Sequence, residues 1–147
     1  MKRTLMLFGV ISLLAVRTYA GYDGWQNDFE QAKKVATEKK ENILAVFAGS
    51  DWCSWCIKLD KEVWSKNEFQ DFAKNKLVLF LADFPSSKKL PAATVRQNEA
   101  LAEKYNVEGF PTVLILSGDG KVIARTGYRP GGVEKYLQYL KSLLKEG

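Results

Sequence analysis

Two short, uninterrupted apolar runs constrain the fold of this 147-residue chain more than any other feature. Ile43–Ala48 and Leu77–Ala82 each have the length of one strand, and neither alternates with polar residues. Continuous apolar strands are typical of a sheet that is covered on both faces. Because the residues between the two runs have helical spacing, the runs predict a parallel pair of strands joined by a right-handed crossover.

Turn residues and periodicity predict the remaining elements. The sequence Gly118-Asp119-Gly120 is typical of a hairpin turn and predicts an antiparallel pair at the edge of the sheet. Strands are predicted over Thr112–Leu116 and Lys121–Thr126, and a loop over Phe84–Thr94. Helices are predicted from a capping box at Asn27–Glu30 to Glu38–Glu41, from Cys53 to Trp64, and over Asn67–Lys74, Val95–Tyr105 and Gly132–Leu144. This order predicts an α/β domain with a central mixed sheet of about four strands, flanked by helices on both faces.

The first twenty residues have the layout of a secretory signal peptide. Two basic residues precede an uncharged run, Leu5–Val16, and small residues occupy the first and third places of Thr18–Ala20. As a helix, that run would span about 18 Å, well short of the ~30 Å apolar core of a bilayer. We therefore predict that residues 1–20 are removed on export and that residues 21–147 form a single domain. A retained membrane anchor is the less favoured alternative.

Removal of residues 1–20 on export would also lower the net charge of the chain. The formal net charge is +5, and segment 1–20 has three basic residues and no acidic ones, so its removal leaves +2 (5 − 3). The other lysines are dispersed along the chain and do not form the dense basic patch that binds phosphate backbones. We expect no nucleic acid partner.

The chain contains two cysteines, Cys53 and Cys56, and no histidine. A structural zinc site needs about four ligands, so we predict no metal site. The absence of histidine also excludes a Cys–His nucleophile. A bridge between such near neighbours closes too small a loop to remove much entropy from the unfolded chain. A redox function is therefore favoured, and a purely structural disulfide is the minor alternative.

Three features of the sequence resemble the thioredoxin fold. They are Trp52-Cys53-Ser54-Trp55-Cys56 at a strand-to-helix junction, Gly109-Phe110-Pro111-Thr112 before the hairpin, and Gly127 before the last helix. Three further segments resemble, more narrowly, the exported bacterial thioredoxin-like oxidoreductases of the DsbH type: Gly49–Cys53, Asp83–Pro85 and Tyr128–Gly132. The resemblance covers approximately residues 25–145. It implies a thioredoxin fold with an extra N-terminal helix.

The chemistry of the cysteine pair follows from its place at the start of a helix. Unpaired backbone N–H groups and the helix dipole favour an anion there, so we expect the pKa of the Cys53 thiol to be lowered. Cys53 is the predicted nucleophile. Cys56 lies three residues further on, on the same side of the helix and nearer the interior. It is predicted to resolve the mixed disulfide that Cys53 forms with a client.

The resemblance implies further site residues. Pro111 matches the family's cis-proline beside the cysteine pair, and the backbone at Phe110 matches the segment that pairs with an extended client. An ordinary trans proline is the alternative. Trp52 matches the tryptophan that precedes the first cysteine. Trp55 is expected to be partly exposed and to form an apolar rim for clients with Phe110, or else to pack on the neighbouring loop.

One departure from the family concerns proton transfer. Many thioredoxins bury an acidic residue in the strand that leads to the active site, whereas the first apolar run has none. Val46 or Phe47 occupies that place here. Lys58 is a weak candidate to assist proton transfer at Cys56, and a solvated surface charge is the favoured interpretation of Lys58.

Together these features of the sequence predict a periplasmic thiol-disulfide oxidoreductase that acts on protein disulfides and needs no cofactor beyond its own redox-active cysteine pair. The DsbH-like resemblance favours a reductase. By family analogy its electron donor would be a DsbD-type membrane reductant, because the sequence has no flavin or nicotinamide fingerprint. A disulfide oxidase or isomerase would use the same residues. A non-catalytic thioredoxin-like binding module would keep the pair locked, and these alternatives stay open at this point.

Overall fold

The computed structural model describes residues 21–145, so the predicted signal peptide lies outside the described residues. In chain order the elements are α1 Phe29–Lys39, β1 Asn42–Ala48, α2 Ser54–Leu59, a π-helical turn Asp60–Trp64, α3 Asn67–Ala73, β2 Leu77–Asp83, α4 Ala92–Lys104, β3 Thr112–Leu116, β4 Val122–Thr126 and α5 Gly132–Leu143. Among these helices, none combines the length and the apolar character needed to cross a bilayer.

The four strands form one mixed sheet in the order β2-β1-β3-β4. β1 and β2 are parallel and pair over their full length, with Asn42 opposite Leu77 and Ala48 opposite Asp83. β3 runs antiparallel to β1 and pairs with β4 in the late hairpin. The predicted α/β domain with a mixed four-stranded sheet and a helix before the first strand is therefore confirmed.

β1 lies inside the sheet, and its side chains alternate between two apolar layers. Leu44 and Val46 belong to the layer that contains the cysteine pair, which α2, α3 and α5 cover. Ile43 and Phe47 belong to the opposite layer, which α1 and α4 cover. Because both faces are covered, the strand is apolar throughout, as the sequence predicted.

Two helices begin at residues other than those predicted. α1 is capped by Asp28, whose carboxylate accepts the N–H of Gln31 at 3.0 Å, so the predicted capping box at Asn27–Glu30 is wrong. α4 begins three residues before the predicted Val95. The carbonyl of Pro91 already accepts the N–H of Val95 at 3.1 Å, and the two alanines between them fit a first helical turn.

The helix that follows Cys53 changes its winding after α2. In the π-helical turn the N–H of Ser65 bonds to the carbonyl of Asp60, five residues back, at 2.9 Å. The sequence predicted one continuous helix here. Trp64, at the end of the turn, is fully buried in the same apolar layer as the cysteine pair.

Candidate active site

The cysteine pair lies where β1 ends and α2 begins. The carbonyl of Gly49 accepts the N–H groups of Trp52 and Cys53 at 3.3 and 2.9 Å, which closes a turn. Cys53 has an extended backbone and is the N-cap residue of α2. Its sulfur accepts the N–H of Cys56 at 3.2 Å, one of the donors that a helix start leaves unpaired. This local structure directs a backbone N–H at the Cys53 sulfur, which would stabilise its thiolate in the reduced form.

Cys53 and Cys56 are joined by a disulfide, with their Cα atoms 5.2 Å apart. Both side chains are buried, but Cys53 retains 7% exposure and Cys56 only 1%. Both belong to the apolar layer that α2, α3 and α5 cover. Cys53 is therefore the more exposed residue of the pair, and Cys56 is the more deeply buried one.

Trp52 flanks the pair on one side and is fixed to the backbone. Its indole N–H donates to the carbonyl of Phe84 at 2.7 Å, and its ring meets Phe110 edge-on at 6.1 Å between centroids. Phe84 and Phe110 stack at 4.9 Å. A Cβ at Gly49 would lie 2.3 Å from the Trp52 ring, so glycine is the residue that leaves room for the indole there.

Trp55 flanks the pair on the other side and is held by side chains. Its ring lies 4.9 Å from that of Tyr128, in the loop before α5, and the Lys58 ammonium lies 5.3 Å from the indole centroid. Tyr128 donates its hydroxyl to Glu62 at 2.8 Å. The ring of Trp55 thus packs on the neighbouring loop while the residue stays 54% exposed, and the ring of Phe110 contacts Trp52 and Phe84 instead.

Lys58 is engaged on this same side. Its ammonium lies 5.4 Å from the centroid of Tyr128 and 3.8 Å from the Glu62 carboxylate. These contacts, together with that to Trp55, hold the side chain against an aromatic pair. Its role in proton transfer stays a prediction.

The peptide bond between Phe110 and Pro111 is cis, and Pro111 directly precedes β3. A Cβ at Gly127 would lie 3.0 Å from the carbonyl oxygen of Pro111, so the backbone of the loop after β4 passes close to it. The buried Tyr136 of α5 donates its hydroxyl to the Gly127 carbonyl at 3.0 Å. Thr112 donates its hydroxyl to the carbonyl of Gly109 at 2.7 Å. The segment around Pro111 is therefore anchored from both sides.

A buried carboxylate, Asp83, holds the turn that carries Cys53. Asp83 is 7% exposed and accepts both the N–H and the hydroxyl of Ser50, at 3.0 and 2.7 Å. The ammonium of Lys88 lies 3.1 Å from the same carboxylate. Charge-assisted hydrogen bonds of this kind are stronger than neutral ones. Asp83 therefore fixes the residue that stands three positions before Cys53.

The backbone of Asp83 is tied in turn to α4. Its carbonyl accepts the side-chain amide of the fully buried Asn98 at 2.9 Å. Gln97 bonds to Asn98 at 3.0 Å and accepts the N–H of Phe29, the first residue of α1, at 2.8 Å. A continuous polar chain thus links the start of α1 to the turn before the cysteine pair.

Asp51 closes the same turn from the solvent side. Its carboxylate accepts the hydroxyl and N–H of Ser87 and the N–H of Ser86, at 2.5, 2.7 and 2.9 Å. These bonds, the Ser87 hydroxyl first, lower the pKa of Asp51 from 3.8 to about 2. The loop after β2 is therefore held to the turn after β1 by an ionised side chain at neutral pH.

Comparisons with known proteins agree with this geometry. The thioredoxin-like domain family matches residues 29–142. The disulfide bond reductase DsbH of Chlamydia pneumoniae is 35% identical over 121 residues, which cover 82% of this chain and 72% of DsbH. The solved structure of a DsbH oxidoreductase matches with a TM-score of 0.79 at 34% identity, over 84% of this chain and 85% of the other. The chain belongs to the thioredoxin-like family.

A second relative of this thioredoxin-like chain is the thioredoxin-related protein DsbJ of Chlamydia pneumoniae. It is 29% identical over 103 residues, which cover 70% of this chain and 30% of DsbJ. The predicted thioredoxin fold and the DsbH-like resemblance are confirmed, and with its Cys53–Cys56 disulfide the chain is a member of the thiol-disulfide oxidoreductases. Within residues 21–145, no three histidine, cysteine, aspartate or glutamate residues are grouped to hold a metal.

The thioredoxin-like chain also has site residues that the sequence reasoning missed. The predicted strand β1 has no acidic residue, and the buried carboxylate comes instead from the end of β2. The sequence did contain a signal for Asp83. Two parallel strands of equal length end side by side, so the acidic residue after the second apolar run is expected next to the end of the first, and the register does put Asp83 opposite Ala48. Asn98 carried no such signal, since an amide on a predicted helix is typical of an exposed face.

Proposed function

We propose that the chain is a periplasmic protein-disulfide reductase that exchanges disulfides through Cys53 and resolves the mixed disulfide with Cys56. The observation that carries this proposal is the asymmetry of the pair. Cys53 is the more exposed residue of the two, at 7% against 1% for Cys56, and its sulfur accepts an N–H at the start of the helix. A thiolate stabilised at the entrance attacks first, and a buried thiol next to it is reserved for the second step.

The exchange runs in two displacements. In the dithiol form the Cys53 thiolate attacks one sulfur of a client disulfide, so a Cys53–client bond forms and the client's other sulfur leaves as a thiolate. The Cys56 thiolate then attacks Cys53, which restores the Cys53–Cys56 disulfide and releases the second client thiol. The client gains two electrons and the chain loses two.

Client recognition is assigned to the residues around the sulfur. Trp52 and Trp55 are about half exposed on either side of the pair. The backbone at Phe110 and Pro111 is proposed to pair with an extended client segment. These contacts would orient a client disulfide toward Cys53.

The reducing direction rests on the relatives. The DsbH of Chlamydia pneumoniae, 35% identical to this chain, is a disulfide bond reductase. A reductase must be reduced again, and we propose a DsbD-type membrane reductant that donates electrons from its own thiols. This donor would act on the oxidised pair by the same two displacements in reverse. No cofactor beyond the cysteine pair enters this scheme.

Two cysteine variants test the order of attack. We expect Cys53→Ser to lose reduction of insulin-type disulfides down to background. Cys56→Ser should accumulate a covalent client complex that dithiothreitol releases, because the second displacement is missing. Ser54→Ala is the matched control between the two sites and should keep activity. Full activity in Cys53→Ser, or trapping by Cys53→Ser instead, would contradict the assignment.

A redox titration tests the direction. The fluorescence of Trp52 and Trp55 should report the oxidation state in glutathione buffers. A potential near that of thioredoxin, about −270 mV, supports a reductase, and one near about −120 mV, as in a strong oxidant, refutes it in favour of an oxidase. Failure of a purified DsbD-type dithiol domain to regenerate the reduced pair would remove the proposed donor alone.

A further inference from the structure

A groove opens beside Trp55, where Lys58 and Tyr128 contact its ring. We call it the lysine groove, and it is lined by Lys58, Lys61, Glu62, Lys66, Tyr128 and residues 130–133. It contains most of the segment Tyr128–Gly132, which the disulfide chemistry itself does not use. Because Lys58 and Tyr128 both contact the Trp55 ring, the groove begins next to the cysteine pair.

The lysine groove has an excess of positive charge. Three lysines and one glutamate line it, which gives a net +2. Glu62 is already engaged by Lys58 at 3.8 Å and by the Tyr128 hydroxyl. Lys61 and Lys66 are exposed and form no ion pair with any residue between 21 and 145. Two cations therefore stand free at the rim of the groove.

The far wall of the groove is backbone with few side chains. Gly131 and Gly132 have φ values of +118° and +77°, a left-handed region that favours glycine. A Cβ at Gly132 would have no neighbour within 4 Å, so the space in front of it is open. The same residues begin α5, whose N-cap Gly131 has no capping side chain, and Glu134 in the first turn offsets part of the positive end of the helix, so the positive charge of the groove comes from its lysines.

We propose that the lysine groove binds an acidic segment of the polypeptide whose disulfide is exchanged at Cys53. This inference rests on the proposed function and adds a preference among partners. An extended segment with carboxylates beside its disulfide would cross Trp55 and place those carboxylates near Lys61 and Lys66. Oppositely charged surfaces raise association rates, and salt screens the effect.

A pair of matched substrates tests the preference. One peptide has an internal disulfide followed by four glutamates, and the other has four glutamines in their place. We expect the dithiol form of the chain to reduce the glutamate peptide about tenfold faster at low salt, and less than about twofold faster at 0.5 M salt. Equal rates at low salt would overturn the inference. The glutamine peptide reports the disulfide chemistry alone, so its reduction supports the proposed function in either case.

Reversing the charge of Lys61 and Lys66 tests whether the preference for acidic peptides depends on the lysine groove. The double variant Lys61→Glu/Lys66→Glu should lose the preference for the glutamate peptide while it reduces the glutamine peptide at the normal rate. Lys34→Glu/Lys39→Glu, on α1 across the sheet, makes the same change in net charge and should keep the preference. Equal loss in both double variants would overturn the assignment to the groove.

A binding measurement keeps the inference testable apart from catalysis. A cysteine-free tetraglutamate peptide should change the fluorescence of Trp55 in the wild-type chain and not in Lys61→Glu/Lys66→Glu. Absence of binding to the wild-type chain would overturn the proposal. Binding of phosphatidylglycerol vesicles instead of the peptide, with the same dependence on Lys61 and Lys66, would overturn it in favour of an anionic membrane surface.

Discussion

Trp52 and Trp55 flank the disulfide with almost the same exposure, 52% and 54%, but they are held in different ways. Trp52 bonds to a backbone carbonyl and lies over Gly49, in a turn that Asp83 ties to the end of β2 and Asp51 ties to the loop after β2. The ring of Trp55 lies against Tyr128 and Lys58, two side chains that also contact each other.

The comparison shows that exposure alone does not describe the role of an aromatic residue near a redox centre. The Trp52 side is fixed by hydrogen bonds to backbone, which define one position for the ring. The Trp55 side rests on a ring pair, two cation–π contacts and a 3.8 Å ion pair, each worth about 1 kcal/mol or less at an exposed site, and on one hydrogen bond between side chains, from the Tyr128 hydroxyl to Glu62. We therefore expect the Trp52 side to preserve geometry and the Trp55 side to adapt to partners.

The largest expected effect comes from removing the carboxylate on the fixed side. Asp83→Ala leaves the N–H and hydroxyl of Ser50 without their acceptor, which should lower the free energy of unfolding by about 2–4 kcal/mol. Glu62→Ala, the corresponding change on the Trp55 side, should cost about 0.5–1.5 kcal/mol, because Glu62 is more exposed.

Urea unfolding of both variants measures the difference. Asp83→Asn keeps one acceptor for Ser50 and should be intermediate. The contrast between the two sides is wrong if Asp83→Ala costs no more than Glu62→Ala.

A smaller effect separates the two tryptophans themselves. Trp52→Phe keeps a ring over Gly49 but removes the indole N–H that bonds to the Phe84 carbonyl, and should cost about 1 kcal/mol. Trp55→Phe removes no hydrogen bond seen in the structure and only weakens the contact with Lys58, so it should cost less than about 0.5 kcal/mol. Each variant is the control for the other in thermal or urea unfolding. Equal losses in the free energy of unfolding would show that the two tryptophans are held equally firmly.

The smallest effect concerns pH. The pKa of Asp51 is lowered from 3.8 to about 2 in the folded chain, so its contribution to stability is complete above about pH 5 and is lost as the pH falls through 2. We expect the stability difference between wild type and Asp51→Asn to shrink steadily between pH 5 and pH 2. The carboxyl ¹³C shift of Asp51 in the folded chain should titrate near pH 2. A midpoint near 3.8 would show that the bonds to Ser86 and Ser87 do not form in solution.

The fold could be predicted because its strongest determinants are local. The apolar runs predicted β1 and β2 to within one residue, and the turn at Gly118–Gly120 predicted the hairpin. The place of Cys53 at a helix start also follows from its neighbours in sequence. In these cases a few adjacent residues determine the structure.

The residues that fix the site depend instead on contacts between distant segments. Ser50 and Asp83 are 33 positions apart, and their bond exists because β1 and β2 end side by side. The π-helical turn ends at Trp64, whose ring contacts Phe69 in the next helix at 4.7 Å, and the polarity pattern of the helix contains no signal for the turn. Gln97 and Asn98 become structural only when α4 lies against both α1 and the end of β2.

The polar chain from Phe29 through Gln97 and Asn98 to Asp83 bears on how this chemistry can be transplanted. The segment Trp52–Cys56 contains both sulfurs, but the groups that fix the preceding turn belong to β2, α4 and the start of α1. A protein engineer who grafts those five residues onto another strand-to-helix junction moves the reactive atoms without their anchor. A graft that keeps the geometry must also include Ser50 and a buried acid at the end of the adjacent parallel strand.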